Sequence, residues 1–331
     1  MFAIAIGTGA TDSNGQLLEA FFPYPVRDPS EALVQALLGD NAAGAQVDLD
    51  ADCAERLSAI GEEKMAAAVR SLGDKAFVTA LPADEAPTST ADFFLKLPLI
   101  STRQAKPHEL NLTGLFAQLP NVAWTSEGAI ALDELAERQI EARAQGRTIT
   151  VNSVDKFPRM ADYAVPAGIR IGDASRVRLG AHLGDGTTVM HEGFVNFNAG
   201  TAGVSMVEGR ISAGVMVGEG SDLGGGCSTM GTLSGGNSII ISVGDQCLLG
   251  ANSGLGIPLG DRCTVESGLY LTAGSKVRVL DESGATLKEV KARDLAGVSD
   301  LLFRRNSMTG TIECLANARA IELNPALHSH N

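Results

Sequence analysis

Residues 171–195 read IGDASRVRLGAHLGDGTTVMHEGFV and belong to a longer stretch, Val165–Val277, that repeats every six residues. An aliphatic residue heads each unit, glycine often follows it, and small or polar residues fill the other positions. The heads form four runs separated by three shifts of phase: Val165, Ile171, Val177, Leu183, Val189 and Val195; Val217 and Leu223; Val243, Leu249 and Leu255; Leu259, Val265, Leu271 and Val277. A period of six fits neither an α-helix nor a long alternating strand.

This repeat predicts a mainly β protein built on a left-handed parallel β-helix, in which short strands turn a corner every sixth residue. Three units make a triangular coil of about 18 residues, and successive coils stack about 4.8 Å apart. Glycine suits the corners because it has no Cβ to clash in a tight turn. The left hand is inferred from the repeat type, against the general rule for parallel crossovers. A glycine-rich β-sandwich is the alternative, but it leaves the regular heads unexplained.

The first 150 residues lack the repeat and predict a small α/β domain. The expected elements are a strand at FAIAIGTG, a helix at Ser30–Leu38, a longer helix at Asp52–Leu72, a strand at AFVTALP and an exposed helix at Asp133–Gln145. Gly7 and Gly9 after the first strand suggest a dinucleotide-binding loop. However, Asp12 occupies the third glycine position and no helix pattern follows, which argues against that function.

Changes in pattern divide the chain into four predicted segments. They are an N-terminal α/β domain (1–150), a connector (151–164), the β-helix (165–278) and a short β-rich C-terminal segment (279–331). The last segment predicts two hairpins, one in VRVLDESGATLKEVKARDL and one in LLFRRNSMTGTIECL. Inside the β-helix, Phe197–Met206 and Thr232–Ile241 break the phase, and they predict loops of the kind on which sites are often built.

The composition predicts a cytoplasmic protein that binds neither nucleic acid nor membranes. No apolar run approaches the ~18 residues of a membrane span, and the N-terminus lacks a signal-peptide pattern. The five cysteines never form a CxxC pair, which favours reduced structural thiols over disulfides or zinc. A net charge of −13 disfavours anionic polymers and surfaces as partners.

One segment departs from this acidic balance. Between Lys276 and Arg305 seven basic residues face five acidic ones, a net charge of +2 in a chain of −13. This contrast favours a binding patch for a phosphorylated small ligand. A solvated face with incidental charge is the alternative.

The histidines restrict the possible chemistry. Only His182 and His191 lie in the repeat, too few for the three zinc ligands of a γ-carbonic anhydrase. His328 and His330 are expected in a solvated C-terminal tail. His191, in MHEGF, could be the general base of a sugar acyltransferase of the same architecture.

Three motifs carry a resemblance to a known family. They are TTVMHEGFVNFNAGTAGVSMVEGRISAGVMVGEGSDLGGG (187–226), MGTLSGG (230–236) and CLLGANSGLGIPLGD (247–261). The sequence resembles the tetrahydrodipicolinate N-succinyltransferases of the hexapeptide-repeat acyltransferase superfamily, in the branch known from actinobacteria and pseudomonads. The resemblance runs from about Asn152 to the closing LHSHN and is weaker before it.

The resemblance implies a homotrimer with active sites between subunits, and succinyl-CoA as co-substrate in diaminopimelate and lysine biosynthesis. Glu208, in MVEGRIS, matches the family's catalytic residue, either a general base or a nucleophile that forms an acyl anhydride. The implied succinyl-CoA contacts are Arg210, Gly225, Ser228, Ala251, Glu266, Ser267, Gly274, Lys291, Arg304, Arg305, Asn306 and Ser307. The last five extend along the basic segment, which we therefore interpret as a phosphate-binding patch.

Two further expectations concern Glu192. If an 18-residue coil holds throughout, Glu192 and Arg210 stack one coil apart and can form an ion pair. The resemblance also implies that Glu192 can hold a structural Mg²⁺ on the trimer axis. The family's second ligand, an aspartate, is replaced by Ser175, so water would complete the coordination. A non-catalytic solenoid scaffold remains the alternative to an enzyme.

Overall fold

The computed structural model describes residues 1–232 and 239–316 and forms two compact units. The first comprises Met1–Ala105, Glu109–Pro158 and Asp162–Ala164. The second comprises Lys106–His108, Arg159–Ala161 and the described residues from Val165 onward. Among the described residues, no helix is long and apolar enough to cross a membrane.

The first unit is an α/β structure with two small sheets. Its strands are β1 (Ala3–Thr11), β2 (Leu17–Phe21), β3 (Val26–Arg27), β4 (Val47–Asp48), β5 (Phe77–Leu81), β6 (Val122–Thr125), β7 (Gly128–Ala131) and β8 (Val151–Asp155). Its helices are α1 (Glu31–Leu38), α2 (Cys53–Ala59), α3 (Glu63–Leu72), α4 (Thr90–Ser101), α5 (Leu115–Gln118) and α6 (Leu135–Ala144). One sheet has the order β2-β1-β5-β4 with β3 beside β1, and the other has the order β7-β6-β8.

Most elements predicted in this unit are present, but the single helix expected at Asp52–Leu72 is wrong. Two helices, α2 and α3, occupy that range, because Gly61 adopts a positive φ of 85° that ends helical geometry. Strand β8 occupies the beginning of the expected connector and pairs with β6. Gly7 and Gly9 lie within β1, which is followed by the antiparallel strand β2, where a dinucleotide-binding loop would require a helix.

Helix α4 is the central buried element of this unit, and the sequence pattern did not predict it. All of its residues are buried, so it has no polar face to produce a helical period. A capping box between Ser89 and Asp92 begins the helix. The ammonium of Lys96 lies inside and donates to Asp84 and to the carbonyls of Glu85 and Asn111, at 2.7 and 2.9 Å from the carbonyl oxygens.

The second unit is a three-sided parallel β-helix. Its strands are β9 (Arg170–Ile171), β10 (Ala181–Leu183), β11 (Thr187–Val189), β12 (Phe194–Val195), β13 (Ala199–Thr201), β14 (Ser205–Val207), β15 (Arg210–Ile211), β16 (Met216–Val217), β17 (Ser221–Leu223), β18 (Ser228–Thr229), β19 (Ser242–Val243), β20 (Leu248–Leu249), β21 (Gly254–Gly256), β22 (Thr264–Val265) and β23 (Tyr270–Thr272). Sheet 1 contains β10-β13-β16-β19, sheet 2 contains β9-β11-β14-β17-β20-β22, and sheet 3 contains β12-β15-β18-β21-β23. Parallel pairing of every strand with its equivalent in the next coil confirms the predicted parallel β-helix.

The predicted heads form the core of this β-helix, with one exception. Those from Val177 to Val277 are buried, and Ile171 packs against them. Val165 is 68% exposed and is not part of the stack, so its assignment as a head was wrong. It precedes the first strand, β9, and therefore has no coil to pack against.

The loop predicted at Phe197–Met206 is also wrong, because β13 and β14 continue the coil through it. Thr201 takes the head position, and its buried hydroxyl accepts the N–H of Gly184 at 3.2 Å and bonds to the Thr187 hydroxyl at 2.7 Å. A threonine whose hydroxyl is hydrogen-bonded can take the inward position, but a pattern of aliphatic residues does not include it. The second predicted loop, Thr232–Ile241, lies largely outside the described residues.

The chain after the coils forms the two expected hairpins. Strands β24 (Lys276–Leu280) and β25 (Thr286–Lys291) pair antiparallel, as do β26 (Leu301–Arg305) and β27 (Ile312–Ala316). Strand β26 joins sheet 2 beside β22. The domain boundary expected at 278/279 falls within β24, and the fourfold division of the chain stays a prediction. His328 and His330 lie outside the described residues.

Candidate functional site

Glu208 lies on the corner between sheets 2 and 3, and the same corner in later coils carries other predicted contacts. The backbone N–H of Glu208 donates to Leu223 at 2.8 Å, and the equivalent N–H groups of Gly224, Gly250 and Glu266 make the same bond to the next coil. Gly225, Ala251 and Ser267 directly follow those three residues. We call this line of corners, from Glu208 to Ser267, the Glu208 edge.

Close stacking explains the glycines of this edge. A Cβ on Gly250 would lie 2.4 Å from the backbone nitrogen of Ser267, so only glycine lets these coils approach. Gly225 differs, because a Cβ there would meet only the Glu208 carboxylate, at 3.6 Å. The carboxylate therefore lies beside an open position on the edge.

The N–H groups of the two glycines also differ. The N–H of Gly250 donates to Val265 at 2.8 Å, whereas no acceptor for the N–H of Gly225 is found among the described residues. An unpaired backbone donor next to a carboxylate can bind a carbonyl oxygen that acquires negative charge. Gly225 therefore fits an oxyanion site, and Gly250 does not.

The outer face of sheet 3 carries Arg210 and Ser228 in adjacent strands. Arg210 is exposed and pairs with Ser228, which is buried. On the other side Arg210 pairs with Phe194, 16 residues earlier, so the expected stacking on Glu192 is wrong. The coil is shorter here because Ile211 follows the head Val207 after four residues instead of six.

Beneath these charged groups lies the buried thiol of Cys227. Burial raises the pKa of Cys227 to about 12, although Arg210 lowers it and Glu208 raises it further. The thiol thus stays protonated at neutral pH and is a poor nucleophile. All five cysteines are free and buried, which agrees with the expected role as reduced structural thiols.

The end of the Glu208 edge meets the basic segment. A Glu266 carboxylate oxygen accepts the N–H of Arg305 at 2.6 Å, which ties β26 to this edge. Arg304 and Asn306 both bond to Glu313, at 2.9 and 2.7 Å. These bonds, that of Asn306 first, lower the pKa of Glu313. Ser307 is exposed in the turn that follows.

Cationic side chains line a groove beside this junction. The groove has a volume of about 410 Å³ and contains Lys276, Arg278 and Arg305 among its lining residues. Arg278 also forms an ion pair with Glu289, at 2.8 Å. A surface of this kind suits phosphate groups and agrees with the charge pattern of the sequence.

Gly274 and Lys291 lie together but apart from the Glu208 edge. The residues after Lys291 bond to the chain around Gly274, with the N–H of Ala292 donating to Ser275 at 2.8 Å. Strand β23 separates this pair from Ser267 and spans roughly 10 Å. Within one chain, the predicted contacts therefore lie in two separate places, the Glu208 edge and the pair of Gly274 and Lys291.

The groups expected at a metal site are only partly suited to that role. Glu192 is exposed. The hydroxyl of Ser175 donates to the Asp173 carboxylate at 2.7 Å, and this bond lowers the pKa of Asp173. The described residues of one chain assemble no group of three or more His, Cys, Asp or Glu side chains around a metal position.

Known proteins resemble this chain along its whole length. The family model "Tetrahydrodipicolinate N-succinyltransferase middle" matches residues 119–159, and "Hexapeptide repeat of succinyl-transferase" matches residues 240–273. A 2,3,4,5-tetrahydropyridine-2,6-dicarboxylate N-succinyltransferase from Vibrio cholerae is 59% identical over 100% of this chain and 99% of its own length. Proteins of the same name from Pseudomonas aeruginosa and Pseudomonas putida are 57% and 55% identical with the same coverage.

A solved structure shows the same similarity. A Campylobacter jejuni protein, described as a candidate 2,3,4,5-tetrahydropyridine-2-carboxylate N-succinyltransferase, has a TM-score of 0.86 and 32% identity. The match covers 97% of this chain and 93% of that one. The similarity therefore extends well beyond the region from about Asn152 onward in which the three motifs lie. Relatives align from the first unit onward, although that unit has no repeat by which to recognise it.

Proposed function

Since this chain belongs to the tetrahydrodipicolinate N-succinyltransferase family, we propose that it transfers the succinyl group of succinyl-CoA to the amine of ring-opened tetrahydrodipicolinate. This reaction serves diaminopimelate and lysine biosynthesis. The observation that supports it best is the Glu208 carboxylate beside the open position of Gly225, whose N–H has no acceptor among the described residues. We place the enzyme in the cytoplasm, and its five free cysteines agree with a reducing compartment.

The chemistry of the acceptor amine determines which catalytic groups the protein must provide. An α-amino group has a pKa of about 7.7 to 8.0, so roughly a tenth of it is already neutral and nucleophilic at pH 7. As its nitrogen attacks the thioester carbonyl, Glu208 takes the proton and the Gly225 N–H bonds to the oxyanion. The C–S bond then breaks, and the CoA thiolate leaves without a strong general acid.

Arg210 is the group that we assign to the donor's free carboxylate. It is exposed on the strand that follows Glu208, and a guanidinium binds a carboxylate with two parallel hydrogen bonds. Only the succinyl group carries that second charge. Arg210→Ala should therefore narrow the preference for succinyl-CoA over acetyl-CoA, and an unchanged ratio of kcat/KM would remove this role.

Release of free thiol from succinyl-CoA, with and without tetrahydrodipicolinate, tests the function. We expect acceptor-dependent release, and we expect Glu208→Ala to reduce it by at least about a hundredfold while the protein stays folded. His191→Ala is the matched control and should retain activity. Loss in His191→Ala with a sugar acceptor would support the sugar acyltransferase, and no release from any acyl-CoA would support the scaffold.

The two roles of Glu208 predict different intermediates. A nucleophilic carboxylate forms an anhydride, so mass spectrometry of enzyme quenched after mixing with succinyl-CoA alone would find succinylated Glu208. A general base leaves the protein unmodified under the same conditions. Glu208→Gln, which cannot be acylated in this way, serves as the control for adducts at other residues.

We further propose a homotrimer of left-handed β-helices whose sites lie between subunits. The separation of Gly274 and Lys291 from the Glu208 edge supports it, because a neighbouring subunit could bring the two parts together. Co-expression of Glu208→Ala and Lys291→Glu chains tests this arrangement. Shared sites predict that mixed trimers recover activity lost in each parent, and no recovery would place both residues in one subunit's site.

A structural Mg²⁺ at Glu192 is a separate proposal. Its support is the exposed carboxylate, one per subunit, which three subunits could direct at a common axis. Mg²⁺ accepts such sparse ligation because it keeps several waters. Elemental analysis of the purified wild-type trimer should find Mg²⁺, and the Glu192→Gln variant should lack it. The variant should also have a lower melting temperature than the wild type. Equal metal content in both proteins would contradict it.

A further inference from the structure

The outer face of sheet 3 continues beyond Arg210 and Ser228 to an aromatic residue. Ser228 pairs with Gly254, and Gly254 pairs with Tyr270, so the four residues stand in one column. Tyr270 is 46% exposed although it lies on a strand of the rigid stack. Among the described residues, its hydroxyl has no hydrogen-bond partner.

Gly254 determines where this ring lies. A Cβ on Gly254 would fall 2.2 Å from a ring carbon of Tyr270, closer than any real contact. The ring therefore lies over Gly254, which stands between Tyr270 and Ser228 in the column. The glycine is required by this contact and not by a turn, since Gly254 is within strand β21.

The surroundings of Tyr270 connect the two groups of predicted coenzyme contacts. Ser267 precedes it on the Glu208 edge, and Gly274 follows it in the pair with Lys291. Arg210 stands three coils away in the same column, about 14 Å at the usual strand spacing. A ligand that runs along this column from the pair of Gly274 and Lys291 to Arg210 passes this ring.

We propose that Tyr270 is a positioning residue that supports the pantetheine arm of the acyl-CoA donor. The inference rests on the proposed function. The arm is thin, uncharged and contains amides, so it can lie against an aromatic face and bond to a phenol hydroxyl. Charged groups at its two ends have other partners, Arg210 for the succinyl carboxylate and the basic segment for the phosphates. Tyr270 fits the neutral middle.

Steady-state kinetics of Tyr270→Ala and Tyr270→Phe test this assignment. Tyr270→Ala should raise the KM for succinyl-CoA about tenfold and leave the KM for tetrahydrodipicolinate unchanged. Tyr270→Phe keeps the ring and should lose only a few-fold. Succinyl-N-acetylcysteamine, which keeps the end of the arm but lacks the phosphates, should show a loss in Tyr270→Ala that Arg305→Ala does not show.

Gly254→Ala provides a second variant that leaves Tyr270 in the sequence. The added methyl must displace the ring, so this variant should raise the KM for succinyl-CoA as Tyr270→Ala does. In the double variant the two effects should not add, because both remove the same contact. Full additivity would overturn the shared cause.

Other results would also overturn the proposal. One is an unchanged KM for succinyl-CoA in Tyr270→Ala, and another is a change only in the KM for tetrahydrodipicolinate. A third is a Tyr270→Ala protein that light scattering shows to be dissociated, because the ring would then be a subunit contact. Calorimetric binding of CoA alone tests Tyr270 without the reaction. If wild-type protein binds CoA but releases no thiol from succinyl-CoA, the proposed function fails and the role of Tyr270 is still measured.

Discussion

Ser253 lies on the inner side of the β-helix, where its hydroxyl has no hydrogen-bond partner among the described residues. Strand register stacks it between Cys227 and Leu269, which are both buried and offer little to a hydroxyl. An unpaired buried hydroxyl costs stability. We expect Ser253→Ala to raise the free energy of unfolding by about 1 kcal/mol, measured by denaturant unfolding.

Ser205 provides the matched control for this prediction. It is equally buried, but its hydroxyl donates to the carbonyl of Ser221 at 2.5 Å. Ser205→Ala leaves that carbonyl without its donor and should lower stability by about 1 kcal/mol. A loss of stability in both variants would mean that the Ser253 hydroxyl is satisfied.

Glu19 makes the stability of the first unit depend on pH. Burial raises its pKa, although hydrogen bonds from the Tyr163 hydroxyl and the Ala10 N–H lower it. A carboxyl whose pKa is raised by folding stabilises fully below its unfolded pKa of about 4.3 and loses that contribution as pH rises through its folded pKa. We expect stability to fall over this range, and Glu19→Gln to flatten the profile. An unchanged slope in Glu19→Gln would contradict it.

At the scale of elements, the stability of helix α4 depends on a buried charged side chain. Lys96 is 1% exposed and is held by Asp84 and two carbonyls. Removing one partner of a buried ion pair leaves the other uncompensated. Lys96→Met should lower the free energy of unfolding by about 3 kcal/mol. Lys64→Met, at an exposed position of α3, should change it by less than about 0.5 kcal/mol.

The elements also show what the sequence could predict about the fold. Regular aliphatic heads were sufficient for the β-helix, because every coil repeats the same inward position. Thr201 places a polar residue where the pattern expects an aliphatic one. The coil still continues through it, because the Thr201 hydroxyl bonds to a neighbouring hydroxyl. Helix α4 escaped for the opposite reason. It is buried on every side and therefore shows no polar face and no helical period.

The predicted site depended on coil length, which the sequence shows only indirectly. Glu208 lies beside Gly225, and the roles that the resemblance implied for these two residues stay predictions. The pairing of Glu192 with Arg210 assumed 18 residues where the coil has 16. The signal was available, because Val195 and Ile211 are also 16 residues apart. The place of Tyr270 could not be predicted, since it depends on which residues face each other in neighbouring coils.

At the scale of the whole molecule, the net charge of the chain and that of the basic segment have opposite signs. The chain carries −13, while the segment that follows the last coil is basic and meets the Glu208 edge through Arg305 and Glu266. An acidic protein repels the phosphates of a coenzyme at long range and must attract them locally. Binding of the donor should therefore depend on a few cations close to the phosphates.

The dependence of the KM on ionic strength tests whether local cations bind the coenzyme phosphates. Raising salt from about 20 mM to about 300 mM shortens the Debye length severalfold, so we expect the KM for succinyl-CoA to rise about three- to tenfold. Arg305→Ala should raise the KM at low salt and reduce its salt dependence, because one of the screened attractions is already gone. Arg143→Ala, at an exposed position of α6, is the matched control and should behave as wild type. Succinyl-N-acetylcysteamine has no phosphates, and an equal salt effect on its KM would show that screening acts elsewhere than on coenzyme binding.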